Sequence, residues 1–247
     1  MKITFLGSSH GVPEKERYCS SAMIEAGEKT YLIDAGAPIT DLLLRRGKKL
    51  EEIVAIFTTH SHSDHTFGLI PFLDLANWYY KNTKTVTYFT GEALMEQIPL
   101  VIESASNHTV FDRERLQLKL AHEGRVYEDD TVRITYIPVQ HMTPSYAILL
   151  EAEGKRVLFT GDLSGMLKKE DFPKVGLEEE TDVIICEMAH FGPDEIRPYM
   201  EKAKTKQWWF NHVNRTATGE KFKAIEEMAG DFAYPVYIAH DNDEILL

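Results

Sequence analysis

The stretch that decides the architecture of this chain is Thr58-Thr59-His60-Ser61-His62-Ser63-Asp64-His65, directly after the apolar run Ile53-Val54-Ala55-Ile56-Phe57. The apolar run predicts a buried strand, and such a strand would hold the polar side chains that follow it at the carboxyl edge of a sheet. Neutral imidazole and carboxylate are natural ligands of zinc and similar divalent ions. A polar histidine-rich loop without chemistry is the alternative, but this density of ligand types favours a metal site.

The composition is that of an ordinary soluble globular protein. The chain has 247 residues, of which 43% are hydrophobic and 27% charged, and its formal net charge is -12. An acidic surface repels polyanions, which weighs against general nucleic-acid binding. No apolar run is long enough to span a membrane, and the N-terminus reads as a strand rather than a signal peptide. We therefore expect a cytoplasmic protein. Cys19 and Cys186 could form one long-range disulfide, but a reducing cytoplasm favours two buried or free thiols.

The remaining pattern predicts two sheets packed face to face with helices outside, in one domain over residues 1–247. Strands are expected at 3–6, 21–25, 30–33, 53–57, 86–89, 116–120, 132–139, 146–151, 156–160, 183–186, 207–210, 236–239 and 244–247. Helices are expected at 38–46, 68–81, 92–105, 193–203 and 221–228, with Pro99 marking a kink or break. The turn-forming loop 7–13 is expected on the surface.

Four further polar residues stand at the end of an apolar strand. They are Asp34, His141, Asp162 and His212. One such residue usually caps a turn, but four of them beside the histidine stretch would converge if their strand ends share one edge of the sandwich. The sequence therefore points to a single site assembled from distant segments.

The order of these residues resembles the motif set of the metallo-β-lactamase fold superfamily over essentially the whole chain. The resemblance implies an α/β (α+β) fold, a four-layer αβ/βα sandwich, with a dinuclear site between the halves. It implies that one metal is held by His60, His62 and His141 and the other by Asp64, His65 and His212, with Asp162 bridging the two. Asp34 matches an acidic residue that orients ligands from behind.

A dinuclear site explains hydrolysis without a side-chain nucleophile. Two metals roughly 3.5–4 Å apart can share a water, lower its pKa toward neutrality and so supply a bridging hydroxide. They also stabilise the negative charge that develops on the substrate oxygen. No cysteine stands near the ligand positions, so a mixed thiolate site is not expected.

The opening segment Phe5–Pro13, with Cys19-Ser20-Ser21, resembles ribonuclease Z and its phosphodiesterase relatives, including a cyclic-phosphate phosphodiesterase. His141–Tyr146 and Asp241–Ile245 resemble two further segments of that group. Ribonuclease Z enzymes that grip tRNA insert a long arm between the lone histidine and the Thr-Gly-Asp segment. Only twenty residues separate His141 from Asp162 here, enough for a hairpin. A small phosphodiester is therefore the preferred substrate.

The other histidines allow more than one interpretation. Asp64 and His190 are the candidates for a direct catalytic role, with His190 either protonating the leaving oxygen or merely bonding to a turn. His10 lies in a loop expected to border the cleft and could contact substrate. His240 is the rival of His212 for the last ligand position, and the match of Asn211-His212-Val213-Asn214 to the family favours His212.

The sequence thus predicts a dinuclear metal-dependent hydrolase, most simply a phosphodiesterase. The same site could instead hydrolyse a lactone, a thioester or another carboxylic ester; tRNA 3′ processing and di-iron redox chemistry are less favoured. Two divalent ions are expected, zinc by default, with manganese or iron as alternatives. The expected partner is a small-molecule substrate rather than nucleic acid or a membrane, and a homodimer is compatible with the sequence.

Overall fold

Two seven-stranded mixed sheets form the centre of the molecule. The structure is a computed structural model and describes residues 1–105, 109–164, 172–214 and 219–247. The strands are β1 Lys2–Gly7, β2 Ser21–Ala26, β3 Lys29–Ile33, β4 Ile53–Phe57, β5 Thr85–Phe89, β6 Leu116–Leu120, β7 Gly124–Glu128, β8 Val132–Pro138, β9 Tyr146–Ala152, β10 Lys155–Phe159, β11 Val183–Met188, β12 Trp208–Val213, β13 Val236–Ile238 and β14 Glu244–Leu246. The first sheet has the order β14-β1-β2-β3-β4-β5-β6 and the second β13-β12-β11-β10-β9-β8-β7.

Helices cover the outer face of each sheet. They are α1 Ile39–Arg45, α2 Ser63–Thr66, α3 Leu69–Trp78, α4 Glu92–Ala105, α5 Val175–Glu178, α6 Pro193–Met200 and α7 Glu220–Ala229. One apolar core lies between the sheets and includes Phe57 and Tyr136. Two more lie between sheet and helices, around Phe72 in the first half and Trp208 in the second. The layers therefore run helix, sheet, sheet, helix, which confirms the predicted four-layer sandwich.

Parallel pairing explains why the polar strand ends meet. Strands β3 to β6 are parallel to one another, and so are β10 to β13. The carboxyl ends of parallel strands lie at one edge of a sheet, so Asp34 and His60 leave the first sheet on the same side. Strands β9 and β10 form the expected hairpin around Glu153-Gly154.

Some local expectations were wrong. Loop 7–13 is not a surface loop at its start, because Ser8, Ser9 and His10 are buried. The amide and hydroxyl of Ser8 donate to Asp241, and the Arg17 guanidinium donates to the Ser8 hydroxyl and carbonyl, so the loop is tied inward.

The helical and strand boundaries also differ in places. Helix α4 continues through Pro99 without a break. Strand β7 and the single turn α2 were not predicted, because β7 lacks a clear apolar alternation and α2 is too short to show a helical period. Strand β12 runs on through His212, which therefore lies within the strand rather than after it. No helix among the described residues is long and apolar enough to cross a membrane.

Candidate metal centre

The histidine stretch leaves β4 and closes into α2, which carries Asp64 and His65. Gly36 makes this possible: a Cβ at that position would lie 1.6 Å from the carbonyl oxygen of Asp64, so only glycine allows the approach. The amide of Ala35 donates to the His65 carbonyl at 2.8 Å and fixes the turn against the end of β3.

Three imidazoles form the first cluster. The Nε2 atom of His60 lies 3.0 Å from Nδ1 of His62, and that Nδ1 lies 3.2 Å from Nε2 of His141. His141 comes from the segment after β8 in the second sheet, whereas the other two come from the first sheet. Three ring nitrogens that face one another in this way could hold a metal ion.

The second cluster contains Asp64, His65, His212 and Asp162. His65 Nε2 lies 3.4 Å from Asp64 Oδ2 and 3.4 Å from Asp162 Oδ1, and His212 Nε2 lies 3.2 Å from Asp162 Oδ2. These residues are drawn from both halves of the sandwich.

Asp162 faces both clusters. Its Oδ2 atom lies 3.7 Å from His60 Nε2 and 3.8 Å from His141 Nε2, in addition to its contact with His212. The seven ligand positions that the motif resemblance implies are therefore gathered around one buried carboxylate, with both sheets contributing.

The donor set fits a cation. His65 Nε2 is buried, makes no hydrogen bond within the described residues and faces two carboxylates at 3.4 Å, an arrangement that suits a bound cation. Burial and the neighbouring His65 lower the pKa of His60 to about 2, which keeps its ring neutral and its electron pair available. Burial opposes the charge of Asp64, but the contact with His65 and the charge of His212 outweigh it and lower the pKa of this carboxyl.

The three buried histidines of the two clusters each have a partner on the far side of the ring. Asp34 Oδ2 lies 2.8 Å from His65 Nδ1, Thr59 Oγ1 lies 3.1 Å from His60 Nδ1, and Ser20 Oγ lies 2.7 Å from His212 Nδ1. Asp34 therefore lies on the side of the His65 ring opposite Nε2, the nitrogen that faces Asp64 and Asp162. Such partners fix the orientation and tautomer of a ligand ring.

The backbone is unusual at two of these positions. Asp34 has φ 58° and His212 has φ 53°, in the left-handed region that costs non-glycine residues about 1–3 kcal/mol. Strained backbone of this kind persists only where the surrounding structure holds the residue, and it clusters at functional sites.

Glu187 is a residue that the sequence analysis missed. It is buried at the end of β11, and its carboxylate accepts hydrogen bonds from the amides of Leu163, Ala189 and His190 and from His190 Nδ1 at 2.9 Å. The hydrogen bond to Glu187 raises the pKa of His190 despite partial burial. The available signal was a single acidic residue in the otherwise apolar strand Val183–Met188.

His10 and His240 differ in their burial and in their position relative to the two clusters. His10 is buried beside the site, and burial together with the charge of His212 lowers its pKa. His240 is exposed, lies 3.6 Å from Asp243 through its Nδ1 atom and takes no part in either cluster. A cavity of about 30 Å³, large enough for a water molecule, lies beside the ligands and is lined by both polar and apolar residues, among them Ser20, Asn211 and Ile185.

The comparisons with known proteins agree with this geometry. The family model described as "Anti-Pycsar protein Apyc1" matches residues 1–222. A ribonuclease Z from Gloeothece citriformis is 34% identical over 151 residues, which cover 59% of this chain and 45% of that protein. A ribonuclease Z from Brevibacillus brevis is 29% identical over 195 residues, covering 72% and 59%. The chain thus spans about half the length of the curated relatives it matches.

Solved structures share the fold along the full chain. The metallo-β-lactamase fold protein YhfI from Bacillus subtilis has a TM-score of 0.78 at 18% identity, covering 99% of both chains. The short form of human tRNase Z (ELAC1) has a TM-score of 0.75 at 20% identity, covering 100% of this chain and 99% of the other. A diphosphatase from the PhnP family has a TM-score of 0.69 at 20% identity, covering 100% and 97%. This chain has the metallo-β-lactamase fold and belongs to the Anti-Pycsar protein Apyc1 family.

Proposed function

We propose that the protein is a metal-dependent hydrolase that cleaves a small phosphodiester. The observation that carries this proposal is the pair of adjacent donor clusters around Asp162, whose Oδ2 atom lies within 3.8 Å of ring nitrogens from both. The similarity to ribonuclease Z over more than half of the chain supports phosphodiester chemistry.

The residues present suit two divalent ions, zinc by default. His60, His62 and His141 would hold one ion, and Asp64, His65 and His212 the other, with Asp162 shared. When bound, such ions supply an activated water and stabilise negative charge on the substrate oxygen. The protein's part is to hold the ligands in place, and the hydrogen bonds behind His60, His65 and His212 do this.

We assign to His190 the transfer of a proton. Its ring centroid lies 4.7 Å from that of His141, and its side chain is 31% exposed, unlike the enclosed ring of His65. The hydrogen bond from Nδ1 to Glu187 leaves Nε2 as the nitrogen that can face a substrate. Because Glu187 favours the protonated ring, His190 can donate a proton from Nε2 to the leaving oxygen.

Two features favour a small substrate. The segment between His141 and Asp162 contains little besides the β9–β10 hairpin, so this part of the chain offers no arm to grip a folded RNA. The net charge of -12 also disfavours a polyanion. A compact phosphodiester needs neither a gripping arm nor a positively charged surface.

The test is a substrate panel with the zinc-loaded protein. We expect hydrolysis of bis(p-nitrophenyl) phosphate and little hydrolysis of a lactone. Lactone hydrolysis is the result that the alternative function, a carboxylic ester hydrolase at the same site, would give. Asp162→Ala and His62→Ala should lose metal and abolish the hydrolysis. His240→Ala, which removes an exposed histidine outside the clusters, should retain both. Lactone turnover without phosphodiester turnover would contradict the proposal.

A further inference from the structure

We infer that Ser20 is a positioning residue for His212, holding its ring so that Nε2 faces the donor cluster. The inference rests on the proposed function only in taking His212 as a metal ligand. The Ser20 hydroxyl lies 2.7 Å from His212 Nδ1, while Nε2 on the other side of the ring lies 3.2 Å from Asp162 Oδ2 and 3.7 Å from Asp64 Oδ2.

The chemistry of a metal-binding imidazole fixes the direction of this hydrogen bond. The nitrogen that binds a cation must offer its electron pair, so the ring proton of neutral His212 resides on Nδ1. Nδ1 then donates to Ser20 Oγ. The hydroxyl hydrogen of Ser20 stays available to the cavity of about 30 Å³ that this residue lines together with polar and apolar side chains.

The position of Ser20 is itself fixed. The residue is only 4% exposed, and its carbonyl accepts hydrogen bonds from the Gly36 amide at 3.0 Å and from the Ser21 hydroxyl at 2.6 Å. On the other side, Arg17 donates to the carbonyl of Val213 at 3.0 Å. The hydroxyl is thus a rigid acceptor, and the backbone beside His212 is held as well.

A rigid partner is needed at His212 in particular. Its φ of 53° places its backbone in the left-handed region, where a non-glycine residue persists only if the surrounding structure holds it. His65 in the same cluster has a carboxylate behind it, from Asp34, whereas His212 has only a neutral hydroxyl. We therefore assign to Ser20 the orientation of the ring rather than an increase in its charge.

The experiment compares Ser20→Ala with Thr85→Val in the intact chain. Thr85 is buried at the amino end of β5, at the sheet edge opposite the ligands, and its hydroxyl donates to the Val54 carbonyl, so Thr85→Val controls for loss of a buried hydroxyl. Zinc affinity is measured by competition with a chromophoric chelator. Ser20→Ala should weaken one of the two zinc positions by about 10–100-fold, the range for loss of such a partner, while Thr85→Val should leave both unchanged.

A second measurement needs no variant. In the zinc-loaded wild-type protein, proton–nitrogen NMR of the histidine rings should find the His212 proton on Nδ1, exchanging slowly with water. A proton on Nε2 would overturn the inference, and so would equal loss of zinc affinity in both variants or unchanged affinity in Ser20→Ala. Neither readout uses hydrolysis, so a zinc-loaded protein that fails to cleave phosphodiesters would contradict the proposed function alone.

Discussion

At the scale of single residues, the hydrogen-bonded pair Glu187 and His190 leads to a specific prediction about the leaving group of the substrate. A buried carboxylate that accepts four hydrogen bonds holds both the ring and the backbone of His190. Because Leu163 is one of the donors, the same carboxylate also fixes the chain directly after Asp162. The positions of His190 and Asp162 are therefore coupled through Glu187.

His190→Asn should slow the cleavage of phosphodiesters in proportion to how poor the leaving group is. A general acid contributes about 10²–10⁴-fold, and that contribution matters for an alkoxide but little for p-nitrophenolate. Steady-state rates on an alkyl and a p-nitrophenyl phosphodiester measure the effect. Glu187→Gln should give the same selectivity to a smaller degree. Equal loss on both substrates would show that these residues serve only the structure.

Gly36→Ala tests the close approach of α2 to the end of β3. The added Cβ would lie 1.6 Å from the Asp64 carbonyl oxygen, so the histidine segment must shift. Overpacking of this kind costs typically about 1–3 kcal/mol of folding free energy. We expect reduced stability in denaturant unfolding and reduced zinc content. Gly230→Ala, at a position with nothing within 4 Å of the added carbon, is the matched control and should be nearly neutral.

Residue-level prediction from sequence worked where a pattern repeats and failed where it does not. Asp34, His141, Asp162 and His212 could be proposed because each follows an apolar run, and the structure brings all four to one place. Ser20 could not be distinguished from an ordinary turn serine, since its role depends on a residue 192 positions later in the chain.

At the scale of elements, the two sheets are joined far from the metal site by Asp129 in the β7–β8 turn. Its carboxylate accepts from Tyr127 on β7, from the amides of Thr131 and Val132, and from Lys29 and Tyr31 on β3 of the other sheet. Burial opposes the charge of Asp129, but these donors, led by the Val132 amide, outweigh it and lower the pKa of the carboxyl.

The depressed pKa of Asp129 gives a stability effect with a defined sign. An acid whose pKa falls on folding stabilises the protein above its unfolded-state pKa, about 4, and that stability is lost as the pH falls through the lowered value. Asp129→Asn should cost about 1.5–3 kcal/mol at pH 7, as expected for hydrogen bonds to a charged group.

Denaturant unfolding at a series of pH values measures this difference, which should shrink as the solution becomes acidic. Asp130→Asn is the matched control, because Asp130 meets the same Lys29 but its side chain is 80% exposed. Asp130→Asn should leave the stability nearly unchanged. A constant difference between wild type and Asp129→Asn from pH 7 down to pH 2 would contradict the assignment.

The sequence predicted most elements because apolar runs bounded by turn residues are clear signals for strands. It failed for loop 7–13, whose serines and glycines suggest exposure. The burial of Ser8 depends on Asp241, which comes from the other end of the chain, and on Arg17. Tertiary hydrogen bonds of this kind leave no local pattern.

At the scale of the whole molecule, the donor clusters connect the two halves of the sandwich. His60, His62, Asp64 and His65 come from the first sheet, and His141, Asp162 and His212 from the second. A cation bound by both sets would therefore stabilise the packing of one sheet on the other.

Removal of metal should lower the unfolding temperature. A ligand that binds only the folded state adds about 2.7 kcal/mol when its free concentration is 100 times its dissociation constant. Thermal unfolding of the zinc-loaded protein with and without a chelator measures the shift. Asp162→Ala, which lacks the shared carboxylate, should respond weakly to the chelator, and an equal shift in this variant would contradict the linkage.

If hydrolysis depends on metal held jointly by the two clusters, activity must follow zinc occupancy. A zinc titration of the metal-stripped wild-type protein, with the hydrolysis of bis(p-nitrophenyl) phosphate followed, measures this dependence. We predict negligible activity at the start and a rise to a plateau at two zinc ions per chain. Full activity before any zinc is added, or no activity once both positions are filled, would show that the bound metal does not drive the hydrolysis.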